Sequence, residues 1–495
     1  MAERTGPIKR KKEDYLDEAK TVDRLDFRLG ALGATLPMLF FILWAVITSS
    51  LGVSSEQGLV TGAVLGLGIG LFLSKSPWKH YAQGIFDGMT QSVGVVAIIA
   101  WFWAGMFASV LQAGGLVEGL VWLGAATGVQ GALFTTSAFI LAAVFASAVG
   151  TGYGTTVAFC TLMYPAGVIM GGDPVVLFAA ILSGAAFGDN LAPVSDTTIV
   201  SAVTQETDVP GVVRSRFKYA IAAAIPSLIL FTILGGAGTS GVNSVEAVRM
   251  INENANPQGL ILLIPFALVI YLALSGHHLI TSLTWGIILA SVFIPVLGLG
   301  SIRDILWFNV PEGKIQGAIL DGVTGYINMA VLILLIVAAG YLIRLGGTMD
   351  VLREYLARKI KGITKRAELS IWGIVAFLNT FITINTAAEI AAAPFVNAIG
   401  KDYKIHPYRR ANFLDAQTSA LGYIFPWSGG VLLGVSTISR LAEKYDFINV
   451  INPAQAVPYV FHGWFLVIVM FLAAVTGIGL RYEGPNGEEL REKPE

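Results

Sequence analysis

Charge and cysteine are what this chain has least of. Only 13% of its 495 residues are Asp, Glu, Lys or Arg, against about 25% in ordinary soluble domains. The single Cys160 excludes an internal disulfide and a four-cysteine metal site. The five histidines (His80, His277, His278, His406, His462) are scattered, and the one adjacent pair, His277-His278, reads as part of a short loop. A net charge of −1 without a basic, aromatic-studded patch gives no reason to expect a nucleic-acid partner. There is no Walker-type Gly-rich lysine loop, so no bound nucleotide is expected. No cofactor is expected. No His/Glu metal motif or Ser/His pairing in the apolar runs suggests an enzyme.

What is abundant is apolar sequence, 55% of the chain. Runs near the length of about 20 residues that crosses a bilayer as a helix lie at Gly30–Leu51, Leu59–Leu73, Ser92–Leu111, Tyr219–Gly236, Leu260–Leu274, Leu279–Leu297, Ile327–Ile343 and Val460–Leu480. Shorter or interrupted runs lie at Leu133–Val149, Val157–Met170, Val175–Phe187, Leu369–Ile384 and Ala387–Val396. The chain is predicted to be an all-α polytopic membrane protein with the lipid bilayer as its surroundings. Residues 1–28 read as a polar cytoplasmic arm carrying Lys9, Arg10, Lys11 and Lys12, not a signal peptide. Residues 481–495 read as a polar tail that needs no fold.

Two stretches resemble each other. Asp87-Gly88-x-Thr90 pairs with Asp321-Gly322-x-Thr324, and Gly114-Gly115 with Gly346-Gly347. The register continues through Pro165 and Pro394, Leu182 and Leu414, Pro193 and Pro426, Ser195 and Ser428, all near an offset of 232. Orientation follows from the excess of Lys and Arg in cytoplasmic loops. Lys75 and Lys79 start the first copy inside, and Arg214, Arg216 and Lys218 place its late loop inside. Three spans later the second copy starts outside and delivers Arg344, Arg353, Arg358, Lys359, Lys361, Lys365 and Arg366 to the cytoplasm. Lys401, Lys404, Arg409 and Arg410 also lie inside, so residues 369–400 cross an even number of times or turn back midway. The expected architecture is two inverted-topology repeats with broken or re-entrant helices meeting near the membrane midplane, as in secondary transporters. Its parts are an accessory hairpin at 29–81, repeat 1 at 82–238, a connecting pair at 239–314 and repeat 2 at 315–480. Both termini are cytoplasmic in a cell (inner) membrane, and a homodimer is possible.

Polar clusters inside this apolar frame are the candidate sites, because irregular backbone at membrane depth survives only when buried or lining a cavity. In GTGYGTT, three glycines let the chain unwind and free carbonyls for a cation, with Gly150, Thr151 and Thr155 as candidate ligands. The same glycines would equally suit a close helix crossing. In SGAAFGDNLAPVSDTTI, Pro193 breaks the helix while Asp189, Asn190, Ser195, Asp196, Thr197 and Thr198 offer oxygen ligands. Na⁺ is placed at Asp189, Ser195 and Asp196, where H⁺ can compete for a carboxylate; the alternative is a capped surface loop. The second half supplies Asn385, Thr386 and Glu389, the last either buried or snorkelling, and then Asp415, Thr418, Ser428 and Pro426. These are candidates for a proton or a substrate. Trp427 lines a pocket or sits in the aromatic belt; Arg410 sets topology or clamps a carboxylate. Asp87 and Asp321 are expected at helix N-termini.

The stretch GDNLAPVSDTT, Gly188–Thr198, resembles the signature of the NhaC-type Na⁺/H⁺ antiporter family, Gly-Asp-x-x-Ser-Pro-x-Ser-Asp-Thr-Thr, with Ala192 where serine is usual. Gly150–Thr155 and the Asp415…Pro426-Trp427 arrangement also look like the family, over roughly Gly84 to Leu480. The resemblance implies Na⁺/H⁺ exchange by alternating access. Some members of the family move hydroxy acids or amino acids instead. Typical Na⁺/H⁺ members carry an aspartate near the position of Asn385 and Thr386; its absence points toward a small organic acid or amino acid, with those two residues as neutral partners.

Overall fold

A backbone in hydrocarbon must satisfy its own hydrogen bonds, so apolar stretches in lipid become helices. The computed structural model describes residues 24–51, 53, 55–193, 195–236, 255–348, 351, 354, 363–382 and 384–494. Most of the N-terminal arm, Thr383, Arg353, Arg358, Lys359 and Lys361 lie outside the described residues. In chain order the first half holds α1 (Ala31–Ser50), α2 (Glu56–Leu73), α3 (Trp78–Met89), α4 (Ser92–Ala113), α5 (Leu116–Thr127), α6 (Ala132–Val149), α7 (Gly152–Ile169), α8 (Pro174–Leu191), α9 (Asp196–Thr204) and α10 (Val209–Leu234). Then come α11 (Leu263–Leu274), α12 (Leu279–Val296), α13 (Ala318–Thr324), α14 (Ile327–Leu345), α15 (Thr364–Phe381), α16 (Asn385–Asp402), α17 (Pro407–Leu421), α18 (Gly429–Lys444) and α19 (Phe461–Thr476). Among the described residues, nine helical stretches are long and apolar enough to cross a membrane. The last expected span, Val460–Leu480, holds α19, and a 52° bend separates α19 from Pro453–Tyr459 before it.

Local sequence explains where helices begin. Asp173 caps α8 with Pro174 in its first turn, and its side chain accepts from Val175 N and Val176 N. Asp208 caps α10 and accepts from Gly211 N, and Thr151 caps α7. Such oxygens satisfy N–H groups that a helix start leaves orphaned.

Helix starts recur between the halves. α6 and α15 begin at Ala132 and Thr364, α7 and α16 at Gly152 and Asn385, α8 and α17 at Pro174 and Pro407, α9 and α18 at Asp196 and Gly429. Packing is exchanged in the same sense: α9 packs on α16 and α18 on α7, while α3 packs on α14 and α13 on α4. Residues 369–400, expected to cross an even number of times or to turn back midway, hold two helices, α15 and α16, which pack on each other.

The centre of the molecule is not its most apolar part. Every residue of α7 is buried, and so is nearly all of α17, which carries two arginines, an aspartate, a glutamine and an asparagine. Outer helices expose large apolar side chains such as Phe72, Ile229, Ile233 and Leu274. This is the distribution of a multi-pass membrane protein, apolar outward to lipid and polar inward.

Three expectations are corrected. The tail folds: Tyr482–Glu483 pairs with Glu489–Leu490, Tyr482 bridges Ile405, and His406 N donates to Arg481 O at 2.9 Å. Arg216, Arg409 and Arg410 are buried rather than solvated on a loop, and Arg410 takes its alternative role, with Nη1 3.5 Å from the Glu483 carboxylate. Asp87 lies in the last turn of α3, where Gln83 Nε2 donates to it at 2.8 Å, not at a helix start.

Candidate functional site

Four helix breaks build the site. Gly150, at φ 77°, turns the chain out of α6, a left-handed conformation that suits glycine. Thr151 then starts α7, accepting from Gly154 N at 3.2 Å. The second break separates α8 from α9 at Ala192–Ser195, the third lies before Asn385 at the start of α16, and the fourth runs from Gly422 to Ser428 between α17 and α18.

Asp189, near the end of α8, joins three of them. Its Oδ1 accepts from Ser195 Oγ at 2.7 Å. Its Oδ2 accepts from Asn385 Nδ2 at 2.7 Å and from Tyr423 Oη at 3.0 Å. Tyr153 Oη accepts from Asn385 N at 3.4 Å, bringing in the first break. All of Asp189's donors are neutral.

A second buried carboxylate is handled differently. Asp415 on α17 forms an ion pair with Arg216 of α10, both side chains fully buried. It also accepts from Ser419 Oγ at 2.5 Å, Asn190 Nδ2 at 3.3 Å and Thr198 Oγ1 at 3.4 Å. Arg216 donates further to Asn190 O at 2.6 Å, Ser201 Oγ at 3.1 Å and Asn412 Oδ1 at 3.4 Å. A buried pair is tolerated when such hydrogen bonds satisfy its remaining polar atoms.

A cavity of about 450 Å³ opens onto Asp189 and is also lined by Asp196, Gly150, Thr151, Asn385 and Thr386. Its far side is formed by α4 and by the turn that carries His277 and His278. The His277-His278 pair thus sits in a loop, as expected, and also faces the cavity.

The sequence-predicted residues divide accordingly. Ser195 and Asn385 gather on Asp189, and Asn190 and Thr198 on Asp415. Thr197 joins the two sets, meeting Ser195 Oγ at 3.0 Å and, at 3.5 Å, the Ser419 Oγ that bonds Asp415. Asp196 is exposed at the start of α9 and stands apart from Asp189's hydrogen bonds, though it lines the cavity. Thr155 and Thr418 are buried and bond their own helices, Thr155 to Thr151 O at 2.7 Å and Thr418 to Leu414 O at 3.2 Å. Ser428 bonds Phe425 O at 2.7 Å. Glu389 is fully buried, so it does not snorkel, and both its carboxylate oxygens lack a hydrogen-bond partner among the described residues. Trp427 is half-buried, stacks on Phe425 and donates to Thr380 O at 3.0 Å.

Sequence reasoning missed Tyr423 and the role of Arg216. Tyr423 sits among apolar residues just before Pro426-Trp427 and carries no signal of its own. Arg216 was hidden between Arg214 and Lys218, which are exposed.

A model of the Na⁺/H⁺ antiporter family matches residues 14–236 and 244–464. The malate-2H⁺/Na⁺-lactate antiporter of Bacillus subtilis is 25% identical, over 89% of this chain and 97% of its own length. The arginine/ornithine antiporter ArcD of Halobacterium salinarum is 23% identical, over 79% of this chain and 84% of its own. The Na⁺/H⁺ antiporter NhaC of Alkalihalophilus pseudofirmus is 24% identical, over 66% of this chain and 73% of its own.

Proposed function

This chain belongs to the Na⁺/H⁺ antiporter family and is a secondary transporter; on that premise we propose that it exchanges Na⁺ for H⁺ by alternating access, with the two ions competing at Asp189. One observation carries the reading. Of the three buried carboxylates near the helix breaks, Asp415 already has a cation in Arg216 and Glu389 does not line the cavity, whereas Asp189 faces the cavity with only neutral donors. A carboxylate so placed takes either a cation or a proton, and the occupant of one state excludes the other. Ser195 and Thr151 supply further oxygens close at hand, and the backbone at Gly150 lines the same space.

Glu389 serves as a second proton carrier. It lies one turn beyond Asn385 on α16, and an ionised carboxylate without a partner at that depth costs several kcal/mol. The two halves act as inverted repeats, a reading supported by the recurring helix starts and the exchanged packing.

The test is a proteoliposome assay with an entrapped pH dye. Adding Na⁺ collapses a preset proton gradient in wild type and not in Asp189→Asn. Absence of Na⁺-dependent proton flux at every pH overturns the proposal.

A second reading has its own support. A cavity of about 450 Å³ is larger than a cation needs and falls within the roughly 300–1,000 Å³ of small-molecule sites. With Asn385, Thr386, His277 and His278 on its walls it would suit a small organic acid or amino acid moved with Na⁺ or H⁺. Radiolabelled uptake that needs a Na⁺ or proton gradient supports this reading, and salt resistance without uptake counts against it.

A further inference from the structure

A second cavity, of about 440 Å³, lies between the start of α10, the start of α17 and the segment that follows α19. Its walls carry four cationic side chains, Arg214, Lys218, Arg409 and Arg481, against one carboxylate, Glu489. Arg409 is already neutralised by Glu368, with Nε to Oε1 at 2.8 Å. Glu489 leans toward His406 at 3.9 Å. Arg214, Lys218 and Arg481 have no carboxylate partner among the described residues.

Like charges gathered around one concavity repel, and the repulsion is relieved when an anion sits among them. A neutral donor waits there too. Tyr219, almost fully buried, accepts from Arg409 Nη1 at 2.6 Å, and its own O–H has no acceptor among the described residues. The wall is built closely. Gly479, at φ +75°, brings the C-terminal segment so near that a Cβ there would strike the Tyr219 hydroxyl. A Cβ on Gly211 would likewise strike the Tyr408 ring.

The cavity is level with the ends of two spans, since α10 begins at Val209 and α19 ends at Thr476. Exposed apolar side chains flank it: Phe217 at 55% and Ile478 at 69% exposure. Cations grouped at the end of membrane helices beside an apolar rim suit a lipid whose phosphate meets the charges and whose chains lie along the rim.

We propose that this cavity binds a phosphate-bearing anion through Arg214, Lys218, Arg481 and the Tyr219 hydroxyl, with an anionic phospholipid headgroup as its occupant and free phosphate as the other source of the same chemistry. Such an anion would touch a wall shared with the transport site. Asn412 lines the cavity, donates to Ser215 Oγ at 2.9 Å, and accepts from Arg216 Nε at 3.4 Å.

The experiment uses the full-length protein in neutral detergent. The thermal midpoint is followed during titration with phosphatidylglycerol, phosphatidylcholine or inorganic phosphate. Three proteins are compared: wild type, the double variant Arg214→Gln/Lys218→Gln, and Arg481→Gln. Phosphatidylglycerol should raise the midpoint saturably and phosphatidylcholine should not. The apparent affinity should fall about fivefold for each cation removed, and Glu489→Gln should raise it. A variant-sensitive response to inorganic phosphate alone supports the site with the soluble source. Arg214 and Lys218 are exposed, so the double variant keeps its unliganded midpoint; Arg481→Gln is an independent check from the tail. No response to either anion, or responses identical in wild type and both variants, overturns the proposal.

Discussion

Asn385 donates its side-chain N–H to Asp189 at 2.7 Å, joining the start of α16 to the end of α8 across 196 positions of sequence. The bond gives the carboxylate a fixed place in the cavity wall without giving it a charge partner. That combination, held in position but not neutralised, underlies the first two predictions.

Asp189→Asn should abolish Na⁺-dependent proton flux in proteoliposomes while the protein still inserts. Asn385→Ala keeps the carboxylate but frees it. It should weaken the apparent Na⁺ affinity by about 10- to 100-fold, the range seen when a group that orients an ion ligand is removed. Asp196→Asn, at an exposed position outside Asp189's hydrogen bonds, should cost less than either. A larger loss in Asp196→Asn than in Asp189→Asn would move the site to the mouth of the cavity.

Glu389→Gln removes the proposed proton site and no hydrogen bond, because neither carboxylate oxygen has a partner among the described residues. The thermal midpoint should stay close to wild type while the pH profile of transport changes shape. An unchanged profile, read with the pH dye across the active range, would exclude Glu389 from proton movement.

Arg216→Gln or Asp415→Asn alone strands the other charge in a dry interior, at a cost of about 3–5 kcal/mol. The double variant Arg216→Met/Asp415→Leu should recover much of that loss. Thermal unfolding of the purified proteins measures both. Additive losses would mean the two side chains do not depend on each other.

Gly322→Val should destabilise the crossing of α13 on α4 by about 1–3 kcal/mol. A Cβ at Gly322 would lie 2.5 Å from the backbone of Met106, and one at Gly105 would lie 2.6 Å from the Tyr326 ring. The readout is the thermal midpoint in detergent.

Acid stability should depend on Asp208. Tyr408 Oη donates to it at 2.5 Å and Gly211 N at 2.7 Å, and both bonds, Tyr408's first, hold its carboxyl below the usual aspartate range. Its contribution is therefore intact above the unfolded value near pH 4 and is lost as pH falls through the folded value. Asp208→Asn, which keeps an acceptor oxygen, should flatten the melting curve's dependence on pH between about 3 and 6. An unchanged slope would show that other carboxylates carry it.

The outer spans were legible in the sequence because lipid-facing helices must be apolar all along. The centre was harder to read. α17 is buried and yet rich in polar residues, so hydropathy alone hides it. Charge counting placed Arg216, Arg409 and Arg410 in water, although each is buried against a carboxylate or a backbone carbonyl. Nothing in a local window distinguishes an arginine that sets topology from one paired to a carboxylate 199 residues away. Asp189 was legible for the opposite reason: a carboxylate between small apolar residues and a proline stands out wherever the chain goes. Its partner Tyr423 did not, since a tyrosine beside a proline and a tryptophan suits an interfacial belt equally well.

The joint between Arg216 and Asp415 also limits how the machine can turn. It fastens α10 in the first half to α17 in the second, a short distance from the carboxylate that meets the cavity. Any swing that pulled those helices apart would leave two naked charges in a waterless gap. For the alternating access proposed above, a cycle that avoids this penalty keeps the Arg216–Asp415 joint closed and moves other segments around it.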